Sequence, residues 1–207
     1  KQTSSTDKIN NMKKSLLFAL TLLAGITVHA QQETLFDDLD VVGAFGGPLV
    51  EIGNIVGETT GMVGGGGALI LNNAFIGGYG LGTNSPDYAV DGNNYNIRFR
   101  HGGFWLGYRY KSHKMIHLYT SARIGWGKIR LRDDDDTVYS DRVFALTPEL
   151  GVELNLTRWF RLGLTGGYRW VNGVNNIPGA ESADFSSPVG VLTFSFGGFG
   201  DWNRSDW

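Results

Sequence analysis

The chain has 207 residues, of which 31 are glycine, 5 are proline and none is cysteine. Its 18 basic and 20 acidic residues nearly balance, which argues against a protein that binds nucleic acid through a basic surface. The hydrophobic content of 42% argues against disorder, and the lack of cysteine excludes disulfides, thiolate catalysis and cysteine-ligated zinc within this sequence.

An export signal is predicted near the start of the sequence. Basic residues follow Met12, an apolar run covers 15–28, and small residues occupy Val28 and Ala30. This pattern is typical of a secretory signal peptide, with cleavage expected after Ala30. A membrane-anchor helix is the alternative, but the apolar run is shorter than the roughly 20 residues that span a bilayer.

From Asp40 onward, apolar and polar residues alternate with a period of two, which is typical of half-buried β-strands. The alternation is clearest over 143–156, where one face is apolar and the other is small or charged. Eight strands are predicted in all, over about 40–52, 59–71, 75–82, 94–111, 116–127, 143–156, 160–170 and 188–199.

The connections between the predicted strands alternate in length. The second, fourth and sixth are tight turns, the first is intermediate, and the third, fifth and seventh are long, over 83–93, 131–141 and 173–187. Outer-membrane barrels have this layout, because their turns are short on the periplasmic side and their loops are longer on the outer side.

Periodicity alone does not decide which face of the barrel is outside. A soluble barrel such as a lipocalin hides its apolar face, whereas a membrane barrel turns that face to lipid. The other face here is rich in glycine and carries nearly balanced charges, and aromatic residues cluster near the strand ends. We therefore predict an all-β protein, an eight-stranded antiparallel up-and-down transmembrane β-barrel preceded by a cleavable signal peptide.

The fourth predicted strand changes character along its length. Arg98 and Arg100 fall on the same face as Phe104. Either Gly102 and Gly103 form a bulge that resets the alternation, or residues 94–101 rise above the membrane.

The chain resembles the small outer-membrane β-barrels of Gram-negative bacteria. The resemblance covers about residues 37–199. The features that carry it are the signal peptide, the eight strands with alternating short and long connections, the segments 43–51 and 66–73, and the last strand, 190–199. It implies a location in the outer membrane, insertion by the barrel-assembly machinery, and contact with outer-membrane lipid and lipopolysaccharide. A monomer with an unknown surface partner and no nucleic-acid ligand is expected.

Four segments are predicted: a polar upstream extension over 1–11, the signal peptide over 12–30, the barrel over 31–199 and a C-terminal tail over 200–207. Members of the family typically end on an aromatic residue that is recognised during assembly. In this sequence the resemblance implies that role for either Phe199 or Trp207.

Two sets of side chains follow from the alternation. We expect a network of paired charges in the lumen, formed by Glu51, Arg109, Arg123, Glu149, Glu153, Arg161 and Arg169, since buried charges must be paired. We expect a lipid-facing set that includes Phe144, Leu146, Leu150, Val152, Leu154, Leu162 and Leu164. Because neighbouring strands lie about 4.8 Å apart, Glu149 or Glu153 should pair with an arginine of an adjacent strand.

Few residues suggest chemistry. Four adjacent carboxylates in the fifth connection, Asp133, Asp134, Asp135 and Asp136, could hold a divalent cation, or could form a solvated outer tip. His113 and His117 are too far apart on a strand to share a metal ion, and His117 is expected to hydrogen-bond inside the lumen. The glycine runs lack the helix of a nucleotide site, and His101 has no nucleophile elbow beside it. No catalytic residue, cofactor or metal centre is predicted.

The sequence therefore favours a structural or surface-interaction protein of the outer membrane that is not an enzyme. Its lumen is expected to be filled by charged side chains rather than open as a pore. The alternatives are a narrow channel, a lipid-modifying outer-membrane enzyme, and a soluble periplasmic ligand-binding barrel.

Overall fold

The computed structural model describes residues 40–83, 87–90, 93–133 and 136–200, and it describes no side chains over 87–90 or at 93, 94, 133 and 136. The predicted upstream extension, the signal peptide with its cleavage site and Trp207 lie outside the described residues. Within the described ranges, no helix is long and apolar enough to cross a membrane.

Nine β-strands form one sheet. They are β1 (Val41–Ile55), β2 (Glu58–Leu71), β3 (Ala74–Gly82), β4 (Asp87–Val90), β5 (Asn93–Tyr110), β6 (Ile116–Asp133), β7 (Asp136–Asn155), β8 (Phe160–Asn172) and β9 (Ser187–Gly198). Both β3 and β4 pair with β5, one beyond the other, so they occupy a single position in the wall. The sheet therefore has eight strand positions.

Consecutive strands pair in antiparallel fashion, except that β3 pairs with β5 and not with β4, and β1 pairs with β9. The pairing of Val50 with Leu192 lies near the middle of this last seam. The sheet therefore closes on itself, through β3 and β5 on one side and β1 and β9 on the other. The prediction of an eight-stranded antiparallel up-and-down β-barrel is confirmed.

The barrel turns its apolar face outward. Leu150 and Leu164 are 58% and 57% exposed, whereas Glu51 and Arg123 on the inner face are fully buried. The other predicted lipid-facing residues also lie on the outer face. A soluble barrel would have the opposite arrangement. The periplasmic ligand-binding barrel is therefore wrong, and this is a transmembrane barrel.

Glycine on the inner face makes room for large side chains. A Cβ atom placed on Gly107 would overlap the ring of Phe75 from the neighbouring strand β3. A narrow lumen filled by aromatic rings and arginines needs such positions, which accounts for glycine at this point of the inner face.

Two connections are shorter than expected. β1 and β2 join through a turn at Val56 and Gly57, whose φ angles of 52° and 79° are typical of a two-residue hairpin. β6 and β7 remain paired as far as Asp133 and Asp136, so residues 131–141, predicted as a long loop, belong mostly to the hairpin. This hairpin extends the barrel wall beyond its neighbours.

The fourth predicted strand contains no bulge. β5 and β6 keep one continuous register, in which Gly102 pairs with Trp126 and Gly103 with Gly125. Arg98 and Arg100 therefore do share the outer face with Phe104. Because the rings of Phe104, Trp126 and Phe144 form a contiguous row on that face, residues 94–101 lie above the aromatic belt.

Candidate functional site

A buried ion-pair network crosses the middle of the lumen, centred on Glu51 of β1. One carboxylate oxygen of Glu51 accepts a hydrogen bond from Arg169 Nη1 at 2.5 Å, and the other accepts one from Arg123 Nη2. All three side chains are at most 1% exposed. Since β1, β6 and β8 supply one residue each, the carboxylate ties opposite walls of the barrel together.

Arg123 extends this network to β7. Its Nε atom lies 2.6 Å from Glu149 Oε1, and Glu149 Oε2 accepts a further hydrogen bond from Thr165 Oγ1 at 2.9 Å. Glu149 stands directly opposite Ser121 in the β6–β7 register, so Arg123 reaches it diagonally from two residues along the strand. Two carboxylates and two arginines thus form one chain of charges.

A second charged cluster lies on Glu153, towards the periplasmic turns. Its carboxylate lies 2.8 Å from Arg109 Nε, 3.5 Å from Arg161 Nη1 and 3.0 Å from His117 Nε2. The structure therefore brings all seven of the charged residues predicted for the lumen into two clusters on the inner face. His117 hydrogen-bonds inside the lumen, and its partner is Glu153.

Aromatic rings close the lumen around Arg109 at the periplasmic end. The guanidinium carbon lies 4.3 Å from the ring centre of Phe45, 4.9 Å from that of Phe75 and 5.6 Å from that of Phe199. Cation–π contacts of this kind are strongest where water is excluded. Phe199 is 5% exposed and faces the lumen just after β9, so it is a packing residue here. Its role in assembly stays a prediction.

The outer mouth is closed by the connection 173–186, although this connection is rich in polar residues. The structure instead buries Phe185 completely, with its ring centre 5.9 Å from that of Phe99. An apolar cluster at the mouth is completed by two residues of the connection, Val174 and Ile177, and by three residues of the barrel wall, Ile97, Ile129 and Leu131. The backbone carbonyl of Phe185 accepts a hydrogen bond from Arg169 Nε at 3.0 Å, which joins this cap to the network.

Asp141 anchors the same connection from β7, beyond the aromatic belt. Its carboxylate accepts hydrogen bonds from the backbone nitrogens of Asn175 and Asn176 at 2.9 and 2.8 Å, and from Asn176 Nδ2 at 2.6 Å. Burial raises the pKa of Asp141, but the hydrogen bonds from Asn176 and Asn175 outweigh it and hold the pKa below its ordinary value of 3.8. The anchor is therefore a carboxylate at neutral pH.

Other residues that the sequence singles out do not form a site. Asp134 and Asp135 lie outside the described residues, as do the side chains of Asp133 and Asp136, so the predicted cation-binding tip stays a prediction. Among the described side chains, no group of three histidine or acidic residues could hold a metal ion. His101 is 4% exposed, and its Nδ1 atom lies 3.0 Å from the Tyr79 hydroxyl.

Sequence reasoning missed Asp141 and Phe185. Asp141 faces the lumen like Val143 and Ala145, which occupy the next alternate positions of β7. If the predicted strand had begun two residues earlier, the alternation would have placed Asp141 on the inner face. Phe185 carries no comparable signal, because it belongs to an irregular connection without periodicity.

No protein-family model and no curated protein matches the chain. Among solved structures, Neisserial surface protein A is similar, with a TM-score of 0.51 and 10% identity over 75% of this chain and 93% of that one. Ail, the attachment invasion locus protein of Yersinia pestis, has a TM-score of 0.43 and 13% identity, and covers 75% of this chain and 95% of its own.

The fold is that of the small eight-stranded outer-membrane β-barrels. The apolar outer surface and the closed antiparallel sheet support the same conclusion independently, since outer-membrane barrels have this arrangement. The described barrel therefore spans a membrane, as the barrels of the outer membrane do.

Proposed function

We propose that the protein is a structural or surface-interaction protein of the outer membrane, that it is not an enzyme, and that its lumen is a filled core rather than a pore. The observation that carries the proposal is the network of Glu51, Arg123, Glu149 and Arg169 across the middle of the lumen. An eight-stranded barrel leaves room only for its own side chains, and these side chains are paired and buried.

The two ends of the barrel support the same proposal. Phe185 and its apolar neighbours fill the outer mouth, and the aromatic rings around Arg109 fill the periplasmic end. An ion would have to displace an apolar layer at each end and break paired charges between them. Burial of a charge without its partner is costly, so the narrow channel is disfavoured.

Conductance separates the filled core from the channel. We expect the folded protein in a planar bilayer to give currents at the background level, with a 16-stranded porin in the same bilayer as the positive control. Discrete, ion-selective steps from the purified barrel would overturn the filled-core proposal and favour the narrow channel.

The surface role depends on the β6–β7 hairpin, which projects beyond the aromatic belt and exposes 45% of Val138 and 36% of Tyr139. Exposed connections held on a rigid scaffold are where contact functions concentrate. This surface is where we place the contact with a surface partner.

A single engineered thiol tests that placement, since the chain contains no cysteine. Val138→Cys should react with a membrane-impermeant maleimide on intact cells. Lys114→Cys, in the exposed turn between β5 and β6, is the matched control and should react only after lysis. Labelling of Lys114→Cys on intact cells would mean that the hairpin faces the periplasm, and the surface role would fail.

A further inference from the structure

His117 is the second residue of β6, and its fully buried side chain lies at the periplasmic end of the lumen. The ring nitrogen Nε2 lies 3.0 Å from Glu153 Oε2 on β7. The other ring nitrogen, Nδ1, lies 3.1 Å from the backbone carbonyl oxygen of Lys114, in the turn between β5 and β6. The ring therefore connects this turn to the charged cluster on Glu153.

Both partners of the His117 ring are hydrogen-bond acceptors. A carbonyl oxygen and an ionised carboxylate have no proton to donate. A neutral imidazole carries one N–H group, so it would donate to one partner and turn a lone pair towards the other. Only the imidazolium, with a proton on each nitrogen, donates to both. The positions of the two acceptors therefore favour the charged form of His117.

The neighbours of Glu153 keep that carboxylate ionised. Arg109 contacts both of its oxygens, with Nε 2.8 Å from one and Nη2 3.3 Å from the other, whereas Arg161 Nη1 lies farther away, at 3.5 Å. The charges of both arginines oppose a third cation nearby, but each guanidinium also lies over an aromatic ring that stabilises it. The proton between Glu153 and His117 therefore belongs to the histidine.

The turn that His117 holds carries other titratable groups. Lys111, His113 and Lys114 are exposed, so water screens their charges from the buried ring. Asn155 Nδ2 donates to the same Lys114 carbonyl oxygen at 2.8 Å. This carbonyl oxygen thus accepts two hydrogen bonds, one from an amide that does not titrate and one from His117.

We propose that His117 is a proton-binding site that locks the periplasmic turn 111–115 to the charged cluster on Glu153. With the second proton bound, the ring donates to Glu153 and to the Lys114 carbonyl at once. Loss of that proton leaves one donor for two acceptors, so one of the two contacts breaks. Because the proton is bound in the locked state, the lock holds at lower pH and opens as the pH rises.

The lock responds to pH in the opposite sense to the anchor at the outer mouth. Asp141 holds the connection 173–186 as a carboxylate and releases it in acid. His117 holds the turn 111–115 as a cation and releases it in alkali. Both ends of the barrel are therefore held over a common range around neutral pH, and each loosens on its own side of that range.

Heteronuclear NMR of the folded chain in detergent micelles tests the protonation of the ring at pH about 7. We expect two N–H groups on His117. His101 is the comparison, because its Nδ1 lies 3.0 Å from the Tyr79 hydroxyl and its Nε2 has no hydrogen-bond partner among the described residues. A buried charge without a partner is costly, so one N–H group is expected there. His117→Gln and His101→Gln assign the signals, and a single N–H group on His117 would overturn the proposal.

Hydrogen exchange of the turn tests the lock itself. The backbone nitrogen of Lys114 donates to the Lys111 carbonyl at 3.0 Å, so its amide reports whether the turn is closed. The amide of Thr157, which donates to Phe160 in the turn between β7 and β8, is the reference. Between pH about 7 and about 9, where lysines stay charged, the protection factor of Lys114 should fall about tenfold or more relative to Thr157. Loss of one hydrogen bond to a charged group predicts a fall of this size.

Three variants separate the proton from packing. His117→Gln has a side chain that does not titrate, so the turn should be equally loose at both pH values. Asn155→Ala removes the other donor to the Lys114 carbonyl, so protection should be lower at both pH values but should still fall with pH. His113→Gln, in the exposed part of the turn, should behave as the wild type. A fall with pH that survives in His117→Gln, or that disappears in His113→Gln, would overturn the lock. Heat-modifiable migration on a gel verifies that each variant is folded.

Discussion

Removal of Glu51 should cost more stability than removal of Glu51 together with one of its arginines. Glu51 is fully buried and accepts two charge-assisted hydrogen bonds, from Arg123 and Arg169. Such bonds contribute about 1.5–3 kcal/mol each, and a buried ion pair that loses one partner is destabilised by about 3–5 kcal/mol. We therefore expect Glu51→Gln or Arg169→Met alone to lower the free energy of unfolding by about 3–5 kcal/mol.

The double variant Glu51→Gln with Arg169→Met leaves the net charge of the lumen unchanged and keeps the ion pair between Arg123 and Glu149. Glu149 then keeps its hydrogen bonds from Arg123, Ser121 and Thr165, so neither remaining charge of the network lacks a partner. The loss in the double variant should therefore be no larger than in the worse single variant, which corresponds to a coupling energy of about 3 kcal/mol or more.

Equilibrium urea titration in lipid vesicles, followed by tryptophan fluorescence, measures these free energies. The matched control is a double-mutant cycle of Thr59→Ala and Asn54→Ala, whose side chains share an exposed hydrogen bond of 3.3 Å. The coupling energy of this pair should be below about 0.5 kcal/mol. Additive losses in the Glu51–Arg169 cycle would refute the reasoning, because the two charges would then not depend on each other.

Three other outcomes are expected. Leu150→Arg puts a charge on the lipid face and should destabilise the folded barrel in vesicles by about 2–4 kcal/mol. Leu150→Phe is the control and should be near neutral. Equal stability of the two variants would reverse the assignment of the inner and outer faces. The pKa of Asp141 is lowered, so its contribution to the stability of the connection 173–186 is fully present above the ordinary value of 3.8 and is lost as the pH falls below that value. Protease cleavage within 173–186 should therefore rise in acid. Asp141→Asn should show the same rise already at pH about 7. Mass spectrometry of the mature protein should place its first residue at Gln31, and a different terminus would contradict the predicted cleavage site.

The alternation of residues sufficed to predict the strands and their inner and outer faces wherever the barrel crosses the membrane. Over 143–156, for example, the outer positions are apolar and the inner ones small or charged, as in the structure. The pattern fails above the aromatic belt for a physical reason. There Ile129 and Leu131 are buried inside while Lys128 and Arg130 face water, so the wall follows the rule of a soluble protein. The inversion makes the top of the hairpin look like a loop.

The partners within the lumen could be predicted only as a set. The parity of Glu51 places it inside, but it does not select Arg123 and Arg169 among the inner arginines. That choice depends on the shear of the closed sheet, which no local pattern encodes. The cap over the mouth is less predictable still, because Phe185 is buried through contacts with strands far away in the chain.

The position of Glu51 also bears on the order of events during assembly. It lies on β1, the first strand to be synthesised, whereas Arg169 is on β8 and the seam of the sheet forms between β1 and β9. While the sheet is still open, Arg123 and Arg169 lack the carboxylate that β1 supplies, and the hydrogen bonds between β1 and β9 have not formed. The ion pairs of Glu51 therefore form at the same stage as the pairing of β1 with β9. A half-assembled sheet in the bilayer would combine unpaired charges with an open edge, and both are costly. We therefore expect insertion to be an all-or-none transition without long-lived intermediates that expose an edge.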